Sequence, residues 1–169
     1  MSQLPIVRPI LWQACIPQLL VGAFCCWVGW KWLGNARGIV LGSGVYLAYS
    51  LGSRQILARH HRRGIGLYKR GEFAAAIQAY LASYTFFDRY RWLDDYRSIF
   101  MMTPGAMAYR EMALVNIAFC YAQLGNGPQA IAYYERTLQE FPGNGTAEAA
   151  LRMLAAAQTI PAAAGDSRA

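Results

Sequence analysis

The chain has 169 residues and a formal net charge of +7, which is enough length for one domain or for a small domain with an appendage. Up to Arg63 the sequence contains seven basic residues and no acidic one, whereas from Gly64 onward nine basic residues are balanced by nine acidic ones. The second part of the chain is therefore neutral. This argues against a nucleic-acid-binding protein, which requires a basic face on its folded domain.

The sequence has no pattern typical of an enzyme. It lacks a nucleophile elbow, a zinc-protease helix and a phosphate-binding loop. The four cysteines do not have the spacing of metal ligands: Cys15, Cys25, Cys26 and Cys120. The neighbours Cys25 and Cys26 are better explained as small apolar side chains than as a redox or palmitoylation site. We expect no catalytic residues, no metal and no cofactor.

The first predicted element is a long apolar run from Ile10 to Trp30. As a helix it would cover about 30 Å, which is the thickness of the hydrocarbon core of a bilayer. Tryptophans and Lys31 stand at its end, as in an interfacial aromatic belt. We therefore predict a membrane helix at about residues 10–32. A cleaved signal peptide is the alternative, but the run is long for one and a second apolar run follows.

A second apolar helix is predicted at about residues 36–57. Its central run, Gly38–Gly52, is too short to span a bilayer by itself, and a full span needs its flanks, including Arg54, whose long side chain can reach the membrane surface. Glycines four residues apart, which allow close helix packing in membranes, stand near its start: Gly34, Gly38 and Gly42. The sequence thus predicts a transmembrane hairpin, residues 1–57, as a membrane anchor. A buried soluble hairpin and a re-entrant pair are the alternatives.

A basic cluster, Arg59–Arg63, follows the second run, whereas the turn between the runs carries only Lys31 and Arg37. Basic flanks of membrane helices stay in the cytoplasm, so both ends of the chain are predicted to be cytoplasmic, with the hairpin in the cell inner or plasma membrane. A nucleic-acid tract and a contact to lipid headgroups are the other interpretations of the cluster.

Two similar helical hairpins are predicted at about residues 58–84 and 111–142. Their small and large residues correspond at a constant difference in numbering, which we call the repeat offset: Gly64, Leu67, Gly71, Ala76 and Tyr80 in the first copy match Ala118, Tyr121, Gly125, Ala130 and Tyr134 in the second. In the second copy, Gly125 and Asn126 end the first helix and Pro142 ends the second.

The segment between the copies, about residues 84–109, is dense in aromatic residues. It is predicted to be an inserted helix or an extension of the preceding one, because its large side chains recur at helical spacing. One interpretation packs them into the domain core. In the other, Trp92, Tyr96 and Phe100 form a contact surface for a partner or for the bilayer interface.

The alanine-rich sequence after Pro142 predicts a helix at about residues 146–158, with Thr146 as its N-cap. This helix is interpreted as a cap on the open end of the repeats. Residues 58–158 would then form one helical domain, followed by a flexible tail at residues 159–169.

The alternation of large and small residues in the second copy, with Ala130, Tyr134 and Pro142, resembles the tetratricopeptide repeat (TPR). The first copy departs from the family pattern, because His60 and Asp88 stand where a large residue and a proline are expected. The family period is about 34 residues, so the longer repeat offset implies an insertion of about 20 residues. The resemblance implies an all-α fold, in which a transmembrane hairpin precedes a short TPR-like domain with an inserted or lengthened helix.

The resemblance also implies a groove for a partner, lined by the first helix of each hairpin. The corresponding positions are Arg62, Ile65, Lys69, Met112, Asn116, Phe119 and Gln123. Family members that clamp the terminal carboxylate of a peptide use an asparagine, which Asn116 matches, and Arg62 and Lys69 would add positive charge. An acidic or C-terminal peptide segment is therefore the expected ligand.

Together these expectations describe a membrane-anchored TPR scaffold or assembly factor that mediates protein–protein interaction at the cytoplasmic face. The alternative is a non-catalytic structural subunit of a larger membrane complex. The expected partners are an unidentified protein or peptide and membrane lipid, with no nucleic acid. A homo-oligomer or a hetero-oligomer is compatible with both functions.

Overall fold

A computed structural model of the protein describes residues 15–103 and 105–165, with side chains described as far as residue 157. Its helices are α1 (Cys15–Leu33), α2 (Ala36–Leu57), α3 (Arg59–Lys69), α4 (Phe73–Arg89), α5 (Arg91–Asp95), α6 (Arg97–Phe100), α7 (Tyr109–Gln123), α8 (Gly127–Glu140) and α9 (Gly145–Gly165). The predicted all-α fold is confirmed, and the helices form a repeat-like arrangement.

The described chain divides into two compact units. Unit 1 contains the described residues up to Arg59 together with Phe87–Ala108, and unit 2 contains His60–Phe86 together with the described residues from Tyr109 onward. The first unit thus combines the α1–α2 hairpin with the aromatic segment that follows α4, and the second contains both predicted repeat hairpins and α9.

The turn between α1 and α2 consists of Gly34 and Asn35. Gly34 has φ +66°, a conformation that glycine adopts without strain, and its N–H donates to the carbonyl oxygen of Trp30 at 2.7 Å. The side chain of Asn35 then caps α2 by accepting a hydrogen bond from the N–H of Arg37 at 3.0 Å. These two residues reverse the chain, so α1 and α2 pack against each other along their lengths.

The contact between α1 and α2 is made by glycines and backbone. A Cβ atom on Gly38 would overlap the carbonyl oxygen of Gly29, and one on Gly29 would overlap that of Gly38. A Cβ on Gly42 would likewise overlap the carbonyl oxygen of Cys25. Gly38 and Gly42 belong to the four-residue spacing seen in the sequence, and they bring the two backbones closer together than any side chain would allow.

The large apolar side chains of the hairpin are on its outside. The exposed ones include Leu19, Leu20, Phe24, Trp27, Trp30, Trp32, Val40, Leu41, Val45, Leu47 and Leu51. The predicted first membrane helix begins at Ile10, and its residues 10–14 lie outside the described part of the chain. None of the helices in residues 15–103 and 105–165 is long and apolar enough to cross a membrane. The predicted transmembrane span is therefore unsupported, and it stays a prediction.

The aromatic segment between the repeat copies contains both a lengthened helix and inserted ones. α4 continues to Arg89, beyond the predicted end of the first copy, and the short helices α5 and α6 follow. Irregular backbone then leads to α7, and within unit 1 helix α6 contacts α1. Met102, at the start of the irregular part, has φ +47°, which is uncommon for a residue with a side chain.

The two hairpins of unit 2 turn in the same way. Gly71 after α3 and Gly125 after α7 have φ +78° and +72°. In the first copy the N–H of Glu72 donates to the carbonyl oxygen of Leu67 at 3.0 Å. In the second copy the residues at the repeat offset form the same bond, from Asn126 to Tyr121, at 2.9 Å. The offset found in the sequence thus recurs in the hydrogen bonding that ends each first helix.

The repeat offset also relates the buried residues of the two copies. The buried pairs are Gly64 and Ala118, Ala76 and Ala130, Tyr80 and Tyr134, and Ser83 and Thr137. Each buried tyrosine lies on a second helix, and the small residue of the first helix makes space for it. A Cβ atom on Gly64 would lie 2.7 Å from Cε1 of Tyr80, so the first copy has no space for even a methyl group there.

Helix α9 covers the end of the second hairpin. Ala147 is fully buried with Ala118, Ala130 and Tyr134, and Ala150, Leu151 and Leu154 pack against this cluster. The N-cap of α9 is Asn144 and not Thr146, because the Asn144 side chain accepts a hydrogen bond from the N–H of Ala147 at 2.7 Å. The helix continues to Gly165, so residues 159–165 of the predicted tail are helical, and residues 166–169 lie outside the described chain.

Candidate partner-binding face

The first helices of the two repeat hairpins, α3 and α7, lie side by side and run in the same direction. Near their starts, the rings of His61 and Tyr109 meet with centroids 5.3 Å apart, and toward their ends the rings of Tyr68 and Phe119 meet at 5.6 Å. All seven residues predicted to line a groove are on these two helices. The fold therefore puts the two predicted groups of residues on neighbouring helices of unit 2.

The second helices of the hairpins, α4 and α8, are joined by a polar cluster that was not predicted from the sequence. The hydroxyl of Tyr84 donates to the Glu140 carboxylate at 2.8 Å. The Arg136 guanidinium lies 4.7 Å from the centroid of the Tyr84 ring and donates to Glu140 at 2.9 Å. Burial opposes the charge of Arg136, but the bond to Glu140 and the nearby Tyr84 outweigh it, so the pKa of Arg136 is raised. The four-residue spacing of Arg136 and Glu140 was the available sequence signal.

The predicted residues form three equivalent pairs at the repeat offset: Arg62 with Asn116, Ile65 with Phe119, and Lys69 with Gln123. The side chains of Arg62, Lys69 and Gln123 are exposed, and that of Asn116 is half-buried. Met112, the seventh predicted residue, is also half-buried. Polar side chains therefore lie on each side of the apolar pair Ile65 and Phe119.

Ile65 and Phe119 also take part in packing. Ile65 lies against the core cluster that includes Leu67 and Ile117. Phe119 contacts Tyr68, whose ring in turn meets Phe73 with centroids 5.7 Å apart. Tyr68 lies on the same helix as Ile65. The apolar floor of the face is thus also part of the joint between α3 and α7, and replacing Phe119 would weaken that joint.

The charge on this face is basic. Neither Arg62 nor Lys69 forms an ion pair in the part of the chain that the structure describes, and helix α3 contains no acidic residue. The acidic residue that follows α3, Glu72, is paired with Arg70 at 2.7 Å. We use the name basic face below for Arg62, Ile65, Lys69, Asn116, Phe119 and Gln123. An anionic ligand would meet two cations there without having to displace an existing carboxylate.

His61 packs inside unit 2. It is 4 % exposed, and its ring meets the rings of Tyr80 and Tyr109 edge-on, each with centroids 5.3 Å apart. One histidine of the basic cluster is therefore a core residue. The sequence could not distinguish His61 from His60 in this respect, because the burial depends on two tyrosines that lie on other helices, far along the chain.

The aromatic residues predicted as a second contact surface belong to unit 1. Trp92, Tyr96 and Phe100 are all exposed. The Trp92 and Phe100 rings meet nearly at right angles with centroids 5.0 Å apart, although Tyr96 interrupts the helix between them. They therefore form a surface of unit 1.

Three ionisable side chains in unit 2 are held in their protonated state by burial: Tyr80, Cys120 and Tyr134. Burial raises the pKa of the Cys120 thiol to about 11 and that of Tyr134 to about 12, and it raises the pKa of Tyr80 further. These groups stay protonated and unreactive near neutral pH. In residues 15–103 and 105–165, no three His, Cys, Asp or Glu side chains lie close enough together to hold a metal ion. The absence of an enzymatic activity stays a prediction.

No protein-family model, curated protein or solved structure matches this chain. The tetratricopeptide resemblance therefore depends on the residues at the repeat offset and on Pro142 alone, and the repetition is a property of the chain itself.

Proposed function

We propose that this protein is a membrane-anchored helical scaffold, which docks an acidic protein segment at the cytoplasmic face of the membrane. The observation that carries the proposal is the arrangement of the α1–α2 hairpin, which buries its glycines and exposes its large apolar side chains. The anchor and the docking face are in different units, and each is supported by its own observations.

The distribution of side chains in the hairpin is the reverse of what water favours. In water, burial of large apolar side chains drives helices together, and glycine contributes little. In lipid, helices associate through small residues and direct their large apolar residues at the acyl chains. Trp32 is 85 % exposed and Leu19 and Val40 are each 72 % exposed, whereas Gly29, Gly38 and Gly42 are buried. This pattern supports lipid as the surroundings of the hairpin.

Ser43 and Ser53 of the hairpin have hydrogen-bonded side chains, as lipid favours. The Ser43 hydroxyl donates to the carbonyl oxygen of Ile39 at 2.9 Å and lies 3.3 Å from the Cys26 sulfur. Ser53 donates to the carbonyl oxygen of Ser50 at 3.2 Å. A polar group without a partner costs several kcal/mol in a hydrocarbon environment. These bonds remove that obstacle to insertion.

Either form of membrane hairpin, spanning or re-entrant, brings its two ends to the same side of the bilayer. Arg59, Arg62 and Arg63 follow α2, and such basic flanks are retained in the cytoplasm and attracted to its anionic lipids. The scaffold is therefore proposed to face the cytoplasm.

Two added charges on the outside of the hairpin test the anchor. We expect the wild-type protein to stay in the membrane pellet after an alkaline carbonate wash. The double variant Leu19→Arg/Val40→Arg should be lost from the pellet, because each arginine opposes insertion by about 3 kcal/mol. The control Gln78→Arg/Gln139→Arg adds the same charge to α4 and α8, which belong to unit 2, and should be retained. Release of the wild-type protein as a soluble monomer would contradict the proposal.

The basic face supports the docking part of the proposal. Its cations Arg62 and Lys69 are exposed beside an apolar floor, and Asn116 and Gln123 at the equivalent positions can donate hydrogen bonds to a peptide carboxylate or backbone. An acidic segment that also has one apolar side chain fits this combination of charge and floor.

Charge reversal on this face provides the test. Peptides with acidic C-terminal segments should bind the protein reconstituted in nanodiscs, with a salt-dependent affinity. Arg62→Glu/Lys69→Glu should weaken binding by at least about tenfold, which is the loss of roughly 1.4 kcal/mol. Arg152→Glu, an exposed change on α9, is the control and should bind as the wild type does. Equal affinities for all three proteins would exclude the basic face as the docking site.

A structural subunit of a larger membrane complex is the second candidate. The exposed Trp92, Tyr96 and Phe100 favour it, because aromatic residues are enriched where permanent partners meet. Extraction in mild detergent followed by size analysis separates the candidates. A subunit should remain in a large assembly of fixed stoichiometry, whereas a scaffold that recruits its partner should emerge alone or as a small oligomer.

A further inference from the structure

We propose that the segment from α5 to the end of α6 lies in the interfacial layer of the bilayer, between the lipid headgroups and the acyl chains. Its exposed aromatic side chains, Trp92, Tyr96 and Phe100, are directed into the lipid. This inference rests on the proposed membrane anchoring. It adds a second lipid contact, made by a part of the chain that follows the hairpin only after α3 and α4.

The first observation is the composition of the exposed surface. Trp92, Tyr96 and Phe100 follow one another at intervals of four residues, and Trp92 and Tyr96 are 50 % and 58 % exposed. Beside them, Arg91 is paired with Asp88 at 2.8 Å. Tryptophan and tyrosine next to charged side chains are typical of the membrane interface. The apolar part of each ring contacts the acyl chains there, and its polar group is hydrated.

The second observation is the hydrogen bonding of the irregular backbone that follows α6. The Tyr49 hydroxyl donates to the carbonyl oxygen of Phe100 at 3.1 Å. Arg54 donates from Nε to the carbonyl oxygen of Met101 at 3.1 Å and from Nη2 to that of Met102. Arg97 donates to the carbonyl oxygens at positions 105 and 106. The carbonyl groups at positions 100–102 and 105–106 thus all receive side-chain donors.

Such bonding is what a non-helical backbone needs at membrane depth. Met101 and Met102 are buried, so the donors to their carbonyl oxygens come from the protein. Near hydrocarbon, water is scarce and a carbonyl oxygen must find its donor in the protein. Arg54 and Arg97 both direct their guanidinium groups at backbone oxygens of this segment, so those oxygens have donors within the protein.

The third observation is continuity with the apolar outside of the hairpin. Tyr49 and Arg54 are on α2, and α6 contacts α1, so the segment is attached to both helices within unit 1. With the hairpin anchored as proposed, the lipid around its exposed leucines and tryptophans is next to this segment. Lipid is the occupant proposed for the exposed aromatic residues, and the internally bonded carbonyl groups are compatible with it.

Tryptophan fluorescence in nanodiscs tests the inference with native side chains as probes. One variant keeps Trp92 as its sole tryptophan through Trp12→Phe, Trp27→Phe, Trp30→Phe and Trp32→Phe. A companion keeps Trp27 alone and reports on the hairpin. A third protein, without native tryptophans, carries Gln78→Trp on the exposed surface of α4 as a control for water exposure. Lipids brominated near the headgroup or near the chain end provide quenching at two depths, and iodide provides quenching from water.

We expect Trp92 to be quenched more strongly by bromine near the headgroup than near the chain end, Trp27 to be quenched by brominated lipid, and the tryptophan at position 78 to be quenched by iodide alone. Quenching of Trp27 by lipid but of Trp92 by iodide alone would overturn the interfacial position while leaving the anchor intact. Protection of Trp92 from both quenchers would show that protein covers it, which also overturns the inference. Lack of lipid quenching at Trp27 would overturn the anchor itself.

Discussion

The two units of the molecule build their cores in opposite ways. In the hairpin of unit 1, Gly29 and Gly38 bring two backbones into contact, and the large side chains are outside. In unit 2, large side chains such as Tyr80 and Ile117 are buried, and small residues leave space for them. Both units have glycine at a close contact. In unit 1, Gly29 and Gly38 let one backbone approach another, and in unit 2, Gly64 leaves space for the Tyr80 ring.

This difference indicates the surroundings for which each core is suited. Burial of rings and branched side chains stabilises a fold in water, because removing apolar surface from solvent contributes about 25 cal/mol per Å². Contact between glycine backbones removes little apolar surface and gains from close packing and weak Cα–H···O bonds, which are the terms that remain when the solvent is itself apolar. Under the proposed membrane anchoring, the two kinds of core match two surroundings, lipid for the hairpin and water for unit 2.

The largest expected effect comes from adding a side chain at the glycine contact between α1 and α2. A leucine at Gly38 would place side-chain atoms where the backbone of Gly29 now lies, and a backbone cannot move aside as a flexible side chain can. We expect Gly38→Leu to separate the helices, with a loss of about 3 kcal/mol or more. Gly44→Leu is the matched control, since a Cβ atom there meets nothing within 4 Å.

A designed disulfide measures the separation. The Cys26 sulfur and the Ser43 hydroxyl are 3.3 Å apart, so Ser43→Cys should form a disulfide with Cys26 once the other three cysteines are replaced by alanine. Oxidation should cross-link this protein and its Gly44→Leu derivative completely. The Gly38→Leu derivative should stay reduced. Equal cross-linking of all three would mean that the glycine contact does not hold the hairpin together.

The second effect concerns the donors to the loop after α6. Replacing Arg54 by methionine keeps most of the side-chain length but leaves two backbone carbonyl groups, at the buried residues Met101 and Met102, without their donors. Loss of hydrogen bonds to a charged donor is worth about 2 kcal/mol. We expect residues 101–108 to exchange their amide hydrogens faster while α7 is unaffected. Arg37→Met, an exposed change on the same helix, is the control. Unchanged exchange in the loop would show that the hydrogen bonds from Arg54 do not stabilise it.

The fold was predictable where local chemistry repeats. Gly71 and Gly125 end equivalent helices with the same backbone conformation, and glycine at a helix end is a signal that depends only on neighbouring residues. The repeat offset could be found for the same reason. By contrast, Asn144 and Thr146 are both good N-caps, and the choice of Asn144 also depends on Glu111, which binds its side-chain nitrogen at 2.7 Å from a distant position in the chain.

The sequence predicts which helix faces carry the residues of the basic face, but not which of these residues also pack between the helices. Helical spacing places Ile65 and Phe119 on the same faces as Arg62 and Asn116. That Phe119 packs on Tyr68 depends on how two helices that are distant in sequence meet, which a one-dimensional pattern does not specify. The cluster of Tyr84, Arg136 and Glu140 was missed for the same reason, since Tyr84 and Glu140 lie on the second helices of different hairpins.

Alkaline pH should lower the stability of the core of unit 2, because ionisable side chains are buried there. Burial raises the pKa of Cys120 from 9.0 to about 11 and that of Tyr134 from 10.0 to about 12. The folded state thus holds these protons more tightly than the unfolded state does. The contribution of Cys120 is complete below the unfolded pKa of 9.0 and is lost as the pH rises through about 11.

We expect the free energy of unfolding of unit 2 to fall by on the order of 1 kcal/mol between about pH 8 and about pH 10, mainly through Cys120. Hydrogen exchange of α7 in the detergent-solubilised protein at these two pH values measures the change. Cys120→Ala removes the thiol from a buried position and should reduce the pH dependence. A Cys120→Ala protein with the full wild-type decline would exclude the thiol as its source.

The smallest effect is also the most discriminating, because two neighbouring glycines of α3 should respond with opposite signs. Both gain up to about 1 kcal/mol of helix propensity when replaced by alanine. At Gly66 a Cβ atom meets nothing within 4 Å, so Gly66→Ala should stabilise unit 2. At Gly64 the new methyl group would lie 2.7 Å from the buried ring of Tyr80, and overpacking of this kind costs about 1–3 kcal/mol.

We therefore expect Gly64→Ala to destabilise unit 2 by about 1 kcal/mol after the propensity gain is subtracted, as measured by hydrogen exchange of α4. The second copy makes the result informative, because Ala118 occupies the equivalent position beside Tyr134. If Gly64→Ala were as stabilising as Gly66→Ala, Tyr80 could move to the position that Tyr134 takes. The two hairpins would then be interchangeable in packing. Destabilisation would mean that the first copy has a tighter contact between its helices, which only glycine allows.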